Sequence, residues 1–173
     1  MAKIRLMIVL VVLALVVVGC GKAAENIIEG AIENQLEEEG GGDVDVNLDE
    51  DDGSISIETD EGSMNIGGTD IPDDFPLPLP DYEEVVGVVT QTGDFASSMV
   101  TVTFDPDDFE DVAELYGDFF NGDGWEVSRT DSSADGDRMV MFFASKGDES
   151  ASAIVGYNVG EETATVIAQY GNN

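Results

Sequence analysis

The sequence predicts an α+β fold: an antiparallel β-sheet with one packed helix, in the order β-β-α-β-β-β-β, preceded by an amino-terminal helix and a small acidic β-meander. Segments in which apolar and polar residues alternate recur along the chain, which is typical of half-buried strands. One segment in the carboxy-terminal half repeats its apolar residues at helical spacing instead. Two strands, a helix and four further strands favour a helix packed on one face of an antiparallel sheet.

The predicted amino-terminal helix covers residues 22–39. Ile28, Ile32 and Leu36 recur every four positions and so line one helical face, and the glycines at 40–42 end the helix. The other face is rich in glutamate, without the Lys and Arg that interfacial helices use to bind anionic membranes. We therefore expect this helix to pack on the rest of the protein.

An acidic β-meander is predicted over 43–68 and a stiff connector over 69–82. Acidic or polar residues alternate in the meander with an apolar set, Val44, Val46, Leu48, Ile55, Ile57, Met64 and Ile66. The connector contains four prolines, which remove backbone donors and favour extended conformations. We expect Phe75, Leu77 and Leu79 to anchor it to the core.

Residues 83–173 are predicted to form the α+β domain. Asp105 is suited to cap its helix and Pro106 to occupy the first turn, and Gly122 or Gly124 ends it. The expected buried stripe of the helix is Phe109, Val112, Ala113, Tyr116 and Phe119 or Phe120. Strands are predicted at 85–90, 99–104, 125–130, 138–145, 151–158 and 163–170.

Both faces of this predicted sheet are apolar in places. Met139, Met141 and Phe143 point to one face, whereas Val140 and Phe142 point to the other. One helix cannot cover two faces. We therefore expect the amino-terminal helix and the hairpin, or else a partner, to cover the second face.

Acidic residues dominate the composition. The chain has 38 Asp and Glu against six Lys and Arg, and a formal net charge of −32. Without residues 1–19 the basic residues are four, Lys22, Arg129, Arg138 and Lys146, and 38 acidic against four basic residues gives −34. Such a surface repels nucleic acid, so no nucleic-acid partner is expected. The composition resembles that of halophilic proteins, an ordinary acidic exported protein being the alternative.

The residue inventory excludes the commonest catalytic groups. The chain has no histidine, which rules out Ser-His nucleophiles and His-ligated zinc. Its one cysteine is Cys20, so no internal disulfide can form. Ser145 and Lys146 are adjacent, but they alternate between the faces of a predicted strand. Among so many carboxylates the sequence singles out no acid–base pair, and we expect neither a catalytic site nor a cofactor.

The acidic loops are poor matches to a calcium site. Asp43, Asp45 and Asn47 match the first three ligand positions of an EF-hand loop. However, Leu48 stands where glycine is needed and Ser54 where the bidentate glutamate belongs. Residues 49–52 could bind cations only weakly, so no metal site is assigned.

Aromatic residues offer two further candidates. Tyr116, Phe119, Phe120 and Trp125 could line a ligand pocket, but aromatic residues at helical spacing more often belong to a core, and we expect core. Tyr157 and Tyr170, on late strands, are the better candidates for a patch that faces a partner.

Residues 1–20 resemble the signal peptide of bacterial lipoproteins. Lys3 and Arg5 precede an apolar run of about 13 residues, which suits a secretory signal and is shorter than the roughly 20 that span a bilayer. The run ends in Val17-Val18-Gly19-Cys20, which is similar to a lipobox. A plain transmembrane anchor is the alternative.

The lipobox resemblance implies how the chain is processed and where it resides. It implies cleavage between Gly19 and Cys20, a diacylglyceryl group on the Cys20 sulfur and a fatty acyl chain such as palmitate on the new amine. Residues 1–19 would be the signal peptide, and 20–42 the lipidated start with its amphipathic helix. Gly21 stands where an aspartate would resemble a mark for inner-membrane retention. The implied location is the outer face of the cell membrane or the outer membrane.

A looser resemblance covers most of the chain. Ile71-Pro72-Asp73-Asp74-Phe75-Pro76, then Pro80-Asp81-Tyr82, and later Phe109 through Tyr116 to Gly124-Trp125 resemble small uncharacterised bacterial envelope lipoproteins. This resemblance implies a signal, an acidic hairpin, a proline segment and a compact β-rich domain, and it implies no catalytic residues.

The expected function is that of a lipid-anchored, exported, non-catalytic envelope protein that binds a partner through its sheet. One alternative is a carboxylate-based cation-binding protein or cation-dependent hydrolase. Another is a solute-binding lipoprotein, although about 150 mature residues are few for two lobes around a cleft.

Overall fold

The computed structural model describes residues 44–49, 53–60, 62–93, 96–122 and 124–172. Within them the chain forms a nine-stranded antiparallel sheet and one α-helix. The strands are β1 (Val44–Leu48), β2 (Ile55–Thr59), β3 (Gly62–Ile66), β4 (Glu84–Gln91), β5 (Ala96–Phe104), β6 (Glu126–Ala134), β7 (Asp137–Lys146), β8 (Glu149–Tyr157) and β9 (Ala164–Asn172). The helix α1 (Phe109–Gly122) follows a 3₁₀ turn, Pro106–Asp108.

The strands lie in the order β1-β2-β3-β4-β5-β9-β8-β7-β6. Strands β1 to β5 are sequential neighbours, and so are β6 to β9, but the second group runs back from the edge and joins β5 through β9. The connection from β5 to β6 therefore crosses four inter-strand steps, about 19 Å. A 14-residue helix is about 21 Å long, so α1 is long enough for this crossing.

The predicted α+β fold class is wrong, because the described chain is mainly β, with one large sheet and a single short helix. The acidic meander does not precede the sheet as a separate layer. Strand β3 pairs with β4 through Met64↔Gln91, Asn65↔Thr90 and Ile66↔Val89, so β1 to β3 extend the sheet in its own plane. No helix precedes β1 in the described chain. The helix predicted over 22–39 lies outside the described residues, as do the signal peptide 1–19 and Cys20.

The 3₁₀ turn that leads into the helix begins where the sequence predicts the helix to begin. The Asp105 carboxylate accepts a hydrogen bond from the Asp107 N–H at 2.9 Å, and Pro106 occupies the first turn. Acidic residues follow, where the helix dipole favours negative charge. The buried stripe is Phe109, Val112, Ala113, Tyr116 and Phe120, which confirms the predicted set. The six strands predicted after residue 83 each overlap an observed strand.

One face of the sheet, which we call the helix face, forms the core with α1. Its buried side chains are Val88 of β4, Val100, Val102 and Phe104 of β5, Val140, Phe142 and Ala144 of β7, Ala151, Ala153 and Val155 of β8, and Ala164, Val166 and Ala168 of β9. The helix contacts β6, β7 and β8. At Ala151 and Ala153 the helix face of β8, which α1 contacts, carries small side chains.

The proline-rich connector also packs on the helix face. Leu77 is only 4% exposed and belongs to the same core, and Ile71, Phe75 and Leu79 are partly buried against it. This confirms the predicted anchoring of the connector. Because connector and helix both lie on the helix face, neither of them covers the opposite face.

Candidate functional site

The opposite face of the sheet, which we call the open face, carries a continuous row of apolar side chains. In an antiparallel pair, residues in register point to the same face. Register joins Leu48 to Ile55, Ile55 to Ile66, Ile66 to Val89 and Val89 to Met99. The apolar alternation of β1 to β3 thus faces away from the helix and lines up with the outward residues of β4 and β5.

The row continues diagonally as far as β7, the neighbour of the edge strand β6. Ile167, Ile154 and Met141 lie side by side on β9, β8 and β7, and Met139 and Phe143 flank Met141 on the same face. We call this surface the methionine band. Its residues are Val46, Leu48, Ile55, Ile57, Met64, Ile66, Val89, Met99, Ile167, Ile154, Met141, Met139 and Phe143.

The methionines are distributed unevenly between the two faces. Apart from Met1 and Met7, the methionines of the sequence are Met64, Met99, Met139 and Met141, and all four lie on the open face. The buried set of the helix face has none and consists of Val, Leu, Phe, Tyr and Ala. Methionine is flexible and polarizable, so it is used where an apolar surface must adapt to a partner.

The methionine band is only partly shielded from solvent. Phe143 is 51% exposed and Met139 is 37% exposed. Phe143 has serines as register partners on both sides, Ser128 and Ser152, which leave its ring uncovered. Most of the other members are half-buried, and Val46 of β1 is only 5% exposed. A contiguous apolar surface of this kind is typical of an interaction site.

Charge is excluded from the middle of the open face. Among the described strand positions on this face, the ionisable residues are Glu84, Glu126 and Asp137, and each is the first residue of its strand. The Asp137 carboxylate accepts a hydrogen bond from the Val159 N–H at 2.8 Å. In a chain with a net charge of −32, this area without charged side chains is large. Depletion of charge is also what distinguishes the core of a protein interface from its rim.

The expectation of two apolar faces is confirmed. Of the covers expected for the second face, the hairpin is wrong, the amino-terminal helix lies outside the described residues, and a partner stays a prediction. Met139, Met141 and Phe143 lie on the open face, and Val140 and Phe142 on the helix face, as their alternation predicts. The hairpin does not fold over the open face, since β1 to β3 lie in the plane of the sheet and enlarge that face instead. We did not predict from the sequence that β1 to β3 enlarge the open face, although the alternation of Ile55, Ile57, Met64 and Ile66 indicates an apolar face on these strands.

The aromatic candidates belong to the core, as expected. The Phe120 ring lies 5.3 Å from Phe119, 5.9 Å from Trp125 and 6.0 Å from Phe142, measured between ring centroids. Tyr116 is fully buried, and among the described residues its hydroxyl has no hydrogen-bond partner. Burial raises the pKa of Tyr116 far above its ordinary value, because the phenolate would lose its hydration.

The two late tyrosines do not form a patch on the open face. Tyr157 and Tyr170 are on the helix face, partly buried against the core. The Tyr170 hydroxyl donates a hydrogen bond of 2.5 Å to the Glu149 carboxylate, which raises the pKa of Tyr170.

The three basic residues of the described chain share the helix face of β6 and β7. Arg129 lies 5.3 Å from the Phe142 ring, Arg138 lies 4.2 Å from the Phe109 ring, and Lys146 lies 5.7 Å from the Trp125 ring. Arg138 also pairs with Glu110, and Arg129 with Asp131. Ser145 and Lys146 point to opposite faces of β7, as their alternation predicts.

The predicted anchor and cation candidates are placed only in part. Gly19, Cys20 and Asp43 lie outside the described residues, as do positions 50–52 of the acidic turn. Across the part of the chain that the structure describes, no three acidic side chains come together to hold a metal ion. Likewise, no described helix is both long and apolar enough to cross a membrane.

Comparison with known proteins adds no family to these observations. No protein-family model matches the sequence, and no curated protein is significantly similar to it.

Proposed function

We propose that this chain is a lipid-anchored, exported, non-catalytic module that binds an apolar surface of another envelope component through the methionine band. The observation that carries the proposal is the gathering of Met64, Met99, Met139 and Met141 on one sheet face that neither the helix nor the connector covers. The four methionine side chains are flexible, so they can adapt to the shape of an apolar partner while the sheet itself stays unchanged.

Charge supports binding to an apolar surface rather than to a cation or an anion. The acidic residues of the described strands leave the centre of the open face free, so a partner would meet no buried carboxylate there. Burial of such side chains stabilises a complex by roughly 25 cal/mol per Å² before the entropic cost of association is subtracted. Molar salt screens the net negative charge of the chain and favours this contact.

The membrane attachment rests on the sequence of residues 1–20. In the proposal, Cys20 carries the lipid and tethers the sheet at the outer face of the cell membrane or in the outer membrane. More than one acyl chain is needed for durable anchoring, which the diacylglyceryl group would supply. Intact-mass spectrometry of the chain from its host should show a start at Cys20 with added lipid mass. Cys20→Ser should release the chain from membranes, and an unmodified chain that starts at Met1 would contradict the anchor.

Photo-crosslinking through methionine tests the binding function directly. If the host is grown with photo-methionine, every methionine that follows Cys20 places its reactive group on the open face. Irradiation of intact envelopes should then yield adducts at peptides that contain Met99, Met139 or Met141. Adducts that appear only at random surface peptides, or none at all, would contradict the proposal.

Two variants distinguish binding through the methionine band from nonspecific hydrophobic association. Met141→Ser combined with Phe143→Ser removes apolar surface from the open face, and we expect it to lose the adducts at the remaining methionines. Val159→Ser is the matched control, since Val159 is 59% exposed but lies in the turn between β8 and β9. The control should crosslink like the unaltered chain.

A further inference from the structure

Strand β6 ends the sheet with a long free edge. All nine of its residues are exposed, and within the described chain it pairs only with β7. Its register with β7 is continuous from Glu126↔Ser145 to Ala134↔Asp137. This continuous register shows that the strand has no bulge, and its sequence contains no proline. Bulges and prolines are two of the features by which proteins usually block the addition of a further strand at an edge.

The turn at the end of β6 fixes which backbone groups point outward. Asp135 and Gly136 have φ angles of 53° and 97°, which is typical of a two-residue type I′ turn. The closing pair Ala134↔Asp137 is then hydrogen-bonded, and even-numbered residues of β6 bond to β7. The outward N–H and C=O groups belong to four residues, Val127, Arg129, Asp131 and Ser133.

The charges on this edge are self-complementary about Thr130. If a second β6 runs antiparallel with Thr130 opposite Thr130, Arg129 of each copy lies opposite Asp131 of the other. Val127 then lies opposite Ser133, so outward backbone groups meet outward backbone groups along the whole strand. In the single chain the Arg129 guanidinium and the Asp131 carboxylate pair with each other at 2.7 Å, with 47% and 58% of their side chains exposed. At such exposure an exchange of partner costs little.

We infer that β6 is a homotypic docking edge, through which two copies of this chain join their sheets around a two-fold axis at Thr130. Charges on an edge strand normally prevent pairing. Here the two charges are opposite in sign and equidistant from Thr130, so they favour one register and disfavour its neighbours. This pairing leaves the two open faces on the same side of the joined sheet, and it does not depend on the proposed function of the methionine band.

Disulfide trapping in the full chain tests the register. Residues opposite each other in a non-hydrogen-bonded pair have Cα atoms about 4.5 Å apart, within reach of a disulfide. Thr130→Cys should therefore form a disulfide-linked dimer under mild oxidation in host envelopes. Ser128→Cys alone should not, because its two copies would lie about 14 Å apart along the strands. A mixture of Ser128→Cys with Ser132→Cys should crosslink, since these positions are opposite each other.

Charge reversal provides an independent measure. Arg129→Asp alone, or Asp131→Arg alone, places like charges opposite each other twice, and each should lower the trapping of Thr130→Cys about tenfold. The double exchange Arg129→Asp with Asp131→Arg should restore trapping, and so should a mixture of the two single variants. Equal trapping at Thr130→Cys and Ser128→Cys, or no loss on charge reversal, would overturn the inference.

Discussion

The two faces of the sheet are built from different side chains. The helix face buries Val, Phe, Ala and Tyr almost completely under α1 and the connector, whereas the open face carries all four described methionines half-exposed. Phe142 and Phe143 show the contrast between adjacent residues, one 2% and the other 51% exposed. The difference indicates that the helix face holds the fold together, whereas within the described residues neither α1 nor the connector lies on the open face.

Removal of salt should disturb the helix face most. With a net charge of −32, the folded chain repels itself when the Debye length is about 10 Å at 0.1 M salt, and much less when it is about 3 Å at 1 M. We expect near-UV circular dichroism to be lost on dialysis to low salt and regained in molar salt. The signal reports on the helix face, because Tyr116 and Trp125 are packed there. A signal independent of salt would contradict the halophilic interpretation.

Substitution of the adjacent phenylalanines should separate the two faces at constant salt. Phe142→Ala leaves a cavity beneath the Phe120 ring and should lower the free energy of unfolding by about 3–5 kcal/mol. Phe143→Ala removes an exposed ring and should cost less than about 1 kcal/mol. Urea denaturation of both variants in molar salt measures the difference. Equal losses would mean that something covers Phe143 in solution.

Tyr116→Phe should stabilise the helix face slightly. The buried Tyr116 hydroxyl has no hydrogen-bond partner in the described part of the chain, so its removal ends a desolvation cost and should raise the free energy of unfolding by about 1 kcal/mol at pH 7.

The stabilisation expected from Tyr116→Phe should increase with pH. The folded pKa of Tyr116 is raised, so its titration takes nothing from the free energy of unfolding below pH 10, the ordinary value of the phenol, where the group is neutral in both the folded and the unfolded chain. The free energy of unfolding then falls as the pH rises from 10 towards the folded pKa, because the unfolded phenol ionises first. The gain from Tyr116→Phe should therefore grow between pH 10 and 11 in urea titrations. A gain that is constant with pH would show that Tyr116 ionises normally in the folded chain.

Oxidation of the methionines should have the smallest effect on stability and still abolish binding. Methionine sulfoxide is polar, and on the open face it would leave the packing of the helix face unchanged. Mild peroxide should modify Met139 first, since it is the most exposed of the four. We expect unchanged near-UV circular dichroism and loss of partner capture. Loss of the dichroism signal would place methionine in the core.

Local patterns in the sequence predict the elements better than their assembly. The strands after residue 83 and the helix are found because alternation, the Asp105 cap and the glycine turns act over a few residues. The fold class is wrong because β3 meets β4 across the whole connector, and no local pattern encodes that pairing. The open face could be predicted from Met139, Met141 and Phe143, whereas the share of β1 to β3 in it depends on that same long-range pairing.

Strand β9 is the last of the nine strands along the chain, yet it lies between β5 and β8 in the interior of the sheet. Pairing of Ala96 with Asn172 joins residues from distant parts of the chain, and contacts of such separation form late. A ribosome must therefore finish β9 before the two halves of the sheet can be joined. In the proposed export of the chain, this delay would keep the polypeptide unfolded during translocation and postpone assembly of the sheet until β9 has emerged.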